Sequence, residues 1–229
     1  MRRSVVGLAI SPLLALTSLA GPLDSWTTRG GGGTTIAASD GMLFVHTFDY
    51  MGILSSTNGV VWKPYGGDGA AAALIEGMAY GNGRLVAVGS QDGAGPEIWT
   101  STNSGSSGTF TLLPSYATRS GGLNRVAFGG GTFVAVGGTF PLNEPIVYGD
   151  GLTWQGPSGY GAPDLSDVAY GNNQFVVVGG GGTIYTSLDG TNWTQQVSGT
   201  ASNLAVVACG GGHYVILGNG VTLTSTNGS

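Results

Sequence analysis

The chain has 229 residues, enough for one domain with a core of ordinary size. Glycine supplies 45 residues and charged side chains only 8%, against about 25% charged residues in an average domain. With seven basic residues and a net charge of −5, the chain lacks the clustered Lys and Arg that a nucleic-acid partner requires.

The first predicted element is a leader. Arg2 and Arg3 give it a basic start, residues 5–20 are apolar, and the small residues Ser18 and Ala20 mark a signal-peptidase site. This apolar stretch of 16 residues is shorter than the roughly 20 that cross a bilayer, although an uncleaved anchor is the alternative. We therefore expect residues 1–20 to be a signal peptide and 21–229 a secreted, periplasmic or extracellular domain without membrane contact.

The rest of the chain repeats one pattern five times. In each copy a short apolar segment ending in alanine precedes a Gly/Asn turn and a second apolar run, as in the sequence VAYGNNQFVVV at 168–178. The marker alanines are spaced by 42, 48, 42 and 39 residues. A period of about 40 built only from strand signals is typical of an all-β propeller with one four-stranded blade per repeat. The markers are Ala37, Ala79, Ala127, Ala169 and Ala208, in repeats covering about 36–66, 78–114, 126–157, 168–199 and 207–229.

The fourth repeat shows the predicted blade most clearly. Strand a covers 167–170, a tight turn follows, and strand b covers 174–178 without polar alternation, as expected for a strand covered on both faces. Strand c covers 183–187. Asp189-Gly190 then predicts a two-residue type I′ turn, with positive φ at both residues, before strand d at 191–195.

The turn between strands c and d carries the motif Ser-x-Asp/Asn-Gly-x-x-Trp, read as STNGVVW from Ser56 and SLDGTNW from Ser187. It resembles the Asp-box, or BNR, repeat of sialidase-like propellers, with one residue fewer between the acid and the aromatic. In that family the box is a structural hairpin, so the resemblance implies structural roles here. The residues concerned are Asn58, Asp150, Asp189 and Asn227 in the turns, and the aromatics Trp26, Trp62, Phe110, Trp154 and Trp193, which we expect to cover the gaps between blades.

The last repeat has no strand d, because it stops just past its c–d turn. Residues 22–29, which include Trp26, look like a spare strand d. We expect this segment to pair with 221–225 and to close a ring of five blades. The alternative is that the chain is a fragment of a longer array.

The long connections, b–c and d–a, share one face of a propeller, and long loops on a rigid scaffold usually carry function. We call this the loop face and predict binding there. The predicted binding residues are Asp49, Tyr50, Asp92, Glu97, Tyr116, Arg119, Glu144 and Tyr160.

The favoured function is a non-catalytic, monomeric binding module whose ligand is a glycan, a peptide or another extracellular surface partner. A glycoside hydrolase or lyase with a carboxylate pair on the loop face is one alternative, and a structural repeat or part of a larger envelope protein is another. Sialidase activity is disfavoured, because no Arg-Ile-Pro motif is present and only Arg29, Arg84, Arg119 and Arg125 follow the leader. We predict no catalytic residue, cofactor or metal site: His46 and His213 occupy different places in their repeats, and Cys209 replaces an aromatic.

Overall fold

The structure, a computed structural model, is all-β in the part of the chain that it describes, namely 33–39, 41–47, 52–65, 74–90, 96–101, 110–112, 122–138, 146–156 and 164–228. These residues form five antiparallel sheets, four with four strands and one with three. The strands are β1 (Gly33–Ser39), β2 (Met42–Thr47), β3 (Gly52–Ser56), β4 (Lys63–Tyr65), β5 (Leu74–Gly81), β6 (Arg84–Ser90), β7 (Pro96–Ser101), β8 (Phe110–Leu112), β9 (Leu123–Gly129), β10 (Thr132–Gly137), β11 (Ile146–Gly149), β12 (Trp154–Gln155), β13 (Leu165–Gly171), β14 (Gln174–Gly179), β15 (Ile184–Ser187), β16 (Thr194–Gln196), β17 (Leu204–Gly210), β18 (His213–Gly218) and β19 (Val221–Ser225).

Each sheet is a meander of consecutive strands, and we number the sheets 1 to 5 along the chain. The first strands of successive sheets, β1, β5, β9, β13 and β17, lie against one another in order. The marker alanines lie opposite apolar residues of the second strands, as in the pairs Ala127↔Val134 and Ala169↔Val176. This is the predicted arrangement of blades. Closure by residues 22–29 remains a prediction, because that segment and Trp26 lie outside the described residues.

The a–b turns are the true type I′ turns of this fold. Both central residues have positive φ, 48° and 60° at Asn172 and Asn173 and 49° and 71° at Asn82 and Gly83. Asparagine tolerates the left-handed region better than other residues with a Cβ, and the twist of this turn matches that of the strands it joins.

The prediction of type I′ geometry for the c–d turns is wrong. Gly190 has φ +77°, but Asp189 does not have positive φ, and the connection runs from Ser187 at the end of β15 to Thr194 at the start of β16. The Asp189 carboxylate explains the longer turn, because its Oδ1 accepts bonds of 2.8 Å from the amides of Thr191 and Asn192. Asp150 and Asn58 bond the corresponding amides in their own turns.

Apolar clusters fill the spaces between successive sheets. The cluster between sheets 3 and 4, for example, contains Val134 and Val136 from one sheet and Phe175 and Val177 from the next. Trp193 is buried in the same cluster, while Trp154 packs partly buried against the cluster between sheets 2 and 3. Strands β6, β10 and β14 are therefore buried on both faces, as their unbroken apolar sequences predicted.

Candidate functional site

Of the eight predicted binding residues, the structure describes only Glu97, on β7. Seven lie outside the described residues, so their grouping on the loop face remains a prediction. These are Asp49, Tyr50, Asp92, Tyr116, Arg119, Glu144 and Tyr160.

Glu97 is more enclosed than a loop residue. Its side chain is only 8% exposed, and its Oε2 atom is buried without a hydrogen-bond partner. Removal from water penalises the charged form, so burial raises the pKa of Glu97 above its ordinary value. The carboxyl group is therefore held closer to its neutral form than a surface glutamate is.

His46, on β2, and Glu97, on β7, face the interface between sheets 1 and 2 from opposite sides. Phe44 and Trp99 belong to the buried cluster between sheets 1 and 2. Side chains two residues apart on a strand share a face, so His46 lies on the face of Phe44 and Glu97 on the face of Trp99. His46 is 2% exposed, and burial lowers its pKa. Both residues lie at the loop-face ends of their strands, where burial favours the neutral form of each.

The described part of the loop face also contains an open hollow of about 640 Å³ beside sheet 4. It lies between the b–c turn at 180–182 and the d–a connection at 197–203. Val197, at its edge, is 95% exposed, and Gln195 projects into solvent from β16. The lining residues are Gly181, Gly182, Gln195, Gln196, Val197, Ser198, Gly199, Thr200 and Ala201.

Hydrogen bonds fix the walls of this hollow. The Gly181 amide donates to Asn203 Oδ1 at 2.9 Å, Ser198 Oγ donates to the Thr200 carbonyl at 3.1 Å, and Gln196 Nε2 donates to Thr186 Oγ1 at 2.9 Å. Gly182 has φ +75°, and a Cβ built on it would overlap the Thr200 carbonyl. Only glycine allows the two segments to approach this closely, so the hollow is built into the local sequence.

Apart from the hollow, a group of polar contacts links the first strands of sheets 2, 3, 4 and 5. Arg125 of sheet 3 donates to the Glu76 carbonyl of sheet 2 at 2.5 Å, and its Nε lies 3.9 Å from Asp167 Oδ1 of sheet 4. The Val207 amide of sheet 5 donates to Asp167 Oδ2 at 2.9 Å. Burial raises the pKa of Asp167 to about 6, because these partners only partly offset the loss of water. We assign this arrangement to holding the sheets together, and sequence reasoning missed it.

Within the described residues, no helix has the length and hydropathy of a membrane-crossing segment, and no three His, Cys, Asp or Glu side chains come together as metal ligands.

No protein-family model matches the chain, and no curated protein matches it. Solved structures do. The computationally designed Ika8 protein is 16% identical, with a TM-score of 0.60 over 82% of this chain and 56% of that one. YCF48 bound to D1 peptide is 19% identical, with a TM-score of 0.60 over 85% of this chain and 63% of that one. The designed Ika4 protein is 15% identical, with a TM-score of 0.51 over 70% of this chain and 94% of that one.

The fold is a β-propeller. Five antiparallel sheets in chain order and these structural neighbours establish that architecture. The chain spans between half and two thirds of the length of Ika8 and of YCF48. The Asp-box resemblance remains a prediction from the turn motif.

Proposed function

We propose that this propeller is a secreted binding module that holds an extended segment of a partner protein in the loop-face hollow beside sheet 4. The observation that carries the proposal is the preformed hollow itself, whose walls are tied by hydrogen bonds before any ligand arrives. A rigid site binds without first having to order its own loops, which lowers the entropic cost of association.

The lining chemistry favours a peptide with few charges. The exposed Gln195 amide offers a neutral donor and acceptor that match a peptide backbone, and Val197 offers an exposed apolar contact. None of the nine lining residues is aromatic or charged, so neither stacking on a sugar ring nor pairing with an ionic group is favoured. A peptide with small apolar side chains fits this combination best.

The neighbour YCF48 is bound to the D1 peptide in its structure. That fact supports the proposal by analogy of fold, since it concerns another protein at 19% identity.

The test uses the chain without residues 1–20 on a peptide array of neutral, extended sequences, with a glycan array beside it. Gln195→Ala and Val197→Asp should each weaken peptide binding at least tenfold. Leu188→Asp is the matched control, because Leu188 is 76% exposed in a c–d turn on the opposite face. Binding of glycans alone, lost in Val197→Asp, would replace the peptide with a sugar ligand. Release of reducing sugar would favour the hydrolase alternative.

A further inference from the structure

Two contacts recur where one sheet of this propeller packs on the next. In the first, the glycine that ends the first strand of one sheet lies against a larger side chain of the following sheet. A Cβ built on Gly81 or Gly129 would overlap the ring of Phe128 or Tyr170, and one built on Gly171 would overlap the Cys209 sulfur. Glycine leaves room for the following sheet at these three junctions, whereas Ser39 holds the corresponding place between sheets 1 and 2.

In the second contact, a valine on the second strand of one sheet packs against the glycine in the c–d turn of the following sheet. A Cβ on Gly190 would lie 2.8 Å from Val134 Cγ2, and one on Gly228 would lie 3.3 Å from Val176 Cγ2. Val134 and Val176 are 0% exposed as a result.

Sheet 5 has the glycine of the first contact and the equivalent of the valine of the second, and among the described residues no following sheet covers them. Gly210 stands where Gly81, Gly129 and Gly171 stand, yet no atom lies within 4 Å of a Cβ built there. Val215 and Leu217, the counterparts of Val176 and Val178 in sheet 4, are 39% and 49% exposed. The open face of sheet 5, defined by Gly210, Val215 and Leu217, is thus an unoccupied copy of an interface that is fully packed elsewhere in the chain.

Sheet 1 has the residues that would face a preceding sheet in these contacts. Its turn glycine, Gly59, is half-buried, and the atom nearest to a Cβ built there is Leu43 Cδ1 of its own sheet, at 3.5 Å. Leu43 and Val45 are also half-buried, whereas their sheet 2 counterparts Leu85 and Ala87 are 0% exposed. The open face of sheet 1 is therefore the surface that the open face of sheet 5 is built to receive.

We propose that the open face of sheet 5 binds sheet 1 of a second copy of this chain, in a head-to-tail arrangement that takes the place of the ring closure expected from residues 22–29. A second copy is the occupant because the described residues of this chain, sheet 1 among them, leave Val215 and Leu217 exposed. The contact continues the interfaces that already join consecutive sheets within the chain. It is weaker than those, because Ala38 occupies the place of Tyr80 and Phe128 and puts only a methyl group over Gly210. Association is therefore reversible and depends on concentration.

Light scattering coupled to gel filtration tests the proposal on the chain without residues 1–20. The unaltered chain should associate with rising concentration, while Leu217→Asp and Leu43→Asp should each weaken association at least tenfold, since each buries an unpaired charge. Leu188→Asp should behave like the unaltered chain. Near-ultraviolet circular dichroism and a cooperative melt establish that each variant is folded.

Mixing separates the head-to-tail arrangement from a symmetric one. The Leu217→Asp chain keeps an intact sheet 1 face and the Leu43→Asp chain keeps an intact sheet 5 face, so an equimolar mixture should form a one-to-one complex. A mixture of folded variants that stays monomeric overturns the proposal. So does a Leu43→Asp chain that still associates alone, because the interface would then join two copies of the sheet 5 face.

Ala38→Tyr should strengthen association at least tenfold by restoring a ring over Gly210, and adding Gly210→Val should remove that gain. An unaltered chain that stays monomeric at its highest soluble concentration overturns the proposal. An Ala38→Tyr chain that gains thermal stability as a monomer also overturns it, and indicates instead that the chain closes on its own first sheet.

Discussion

Gly129 of sheet 3 lies against the ring of Tyr170 of sheet 4, so closely that a Cβ on the glycine would overlap the ring carbons. Gly129→Ala should therefore lower the free energy of unfolding by about 1–3 kcal/mol, because the ring must shift in a packed interface. Urea unfolding followed by tryptophan fluorescence measures the change. Gly210→Ala, made in the Leu217→Asp chain so that association does not contribute, is the matched control and should change stability by less than about 0.5 kcal/mol. Equal losses in the two variants would contradict the assignment.

Asp167 should make stability depend on pH. Its pKa is raised from 3.8 to about 6 in the folded chain, so the folded state holds the proton more tightly than the unfolded state between these values. The contribution of Asp167 is thus fully present below pH about 4 and is lost as the pH rises through 6. The free energy of unfolding of the unaltered chain, relative to that of Asp167→Asn, should therefore be lower at pH 7 than at pH 4, by up to about 3 kcal/mol. Parallel curves for the two proteins would show that Asp167 is not perturbed.

Glu97 should produce a smaller slope of the same sign. Burial raises its pKa, so its contribution to stability is present at acidic pH and is lost as the pH rises. Since burial penalises the ionised carboxylate, Glu97→Gln should be more stable than the unaltered chain by about 1 kcal/mol at neutral pH. Thermal melts at neutral pH and near pH 4 should show the gain only at the higher value. A gain of equal size at both pH values would exclude titration of Glu97 as its source.

Asp189 should stabilise its turn by accepting hydrogen bonds, and its negative charge should contribute less. Its Oδ1 accepts bonds from the Asn192 and Thr191 amides and from Ser187 Oγ at 3.0 Å. The bonds from Asn192 and Thr191 lower the pKa of Asp189 below its ordinary value. Asp189→Ala should lower the free energy of unfolding by about 1 kcal/mol. Asp189→Asn should retain most of the stability, because Asn58 already bonds the amides of Val60 and Val61 in sheet 1. Chemical unfolding at neutral pH distinguishes the two, and an Asn variant as damaged as the Ala variant would mean that the negative charge is needed.

Trp193 should be the most costly to remove of the three turn aromatics whose burial the structure describes, Trp62, Trp154 and Trp193. It is buried between sheets 3 and 4, and its Nε1 donates to the Gly190 carbonyl at 3.2 Å. Trp193→Ala should lower the free energy of unfolding by about 3–5 kcal/mol. Trp62→Ala is the matched control, because Trp62 is only half-buried, and should lose less. If the two losses were the same, the gap between sheets would not explain the role of Trp193.

The repeat made the strands predictable from sequence, because one alanine marker and one turn recur in register with the apolar runs. The a–b turns followed from Asn172-Asn173 and its equivalents for the same reason. The c–d turns did not, since the Asp189 carboxylate competes with the backbone for the turn amides, and a dipeptide rule does not include that bond.

The site was less predictable than the fold. The loop-face hollow depends on two connections 15 or more residues apart that meet around Gly182 and Thr200. The Arg125–Asp167 ion pair depends on which inner strands are neighbours in space. The sequence held a signal, because both residues stand two positions before a marker alanine. That shared position predicts an ion pair only once it is known that the first strands of successive sheets are in contact.

The burial of β6, β10 and β14 on both faces has a consequence for how this protein tolerates change. A side chain of such a strand belongs to one intersheet core, but its backbone supports two, so a shift there damages both neighbours. Strand β18 supports one packed core and an open surface. Random mutagenesis should therefore find the fewest accepted substitutions in the central sheets and progressively more toward each end of the array.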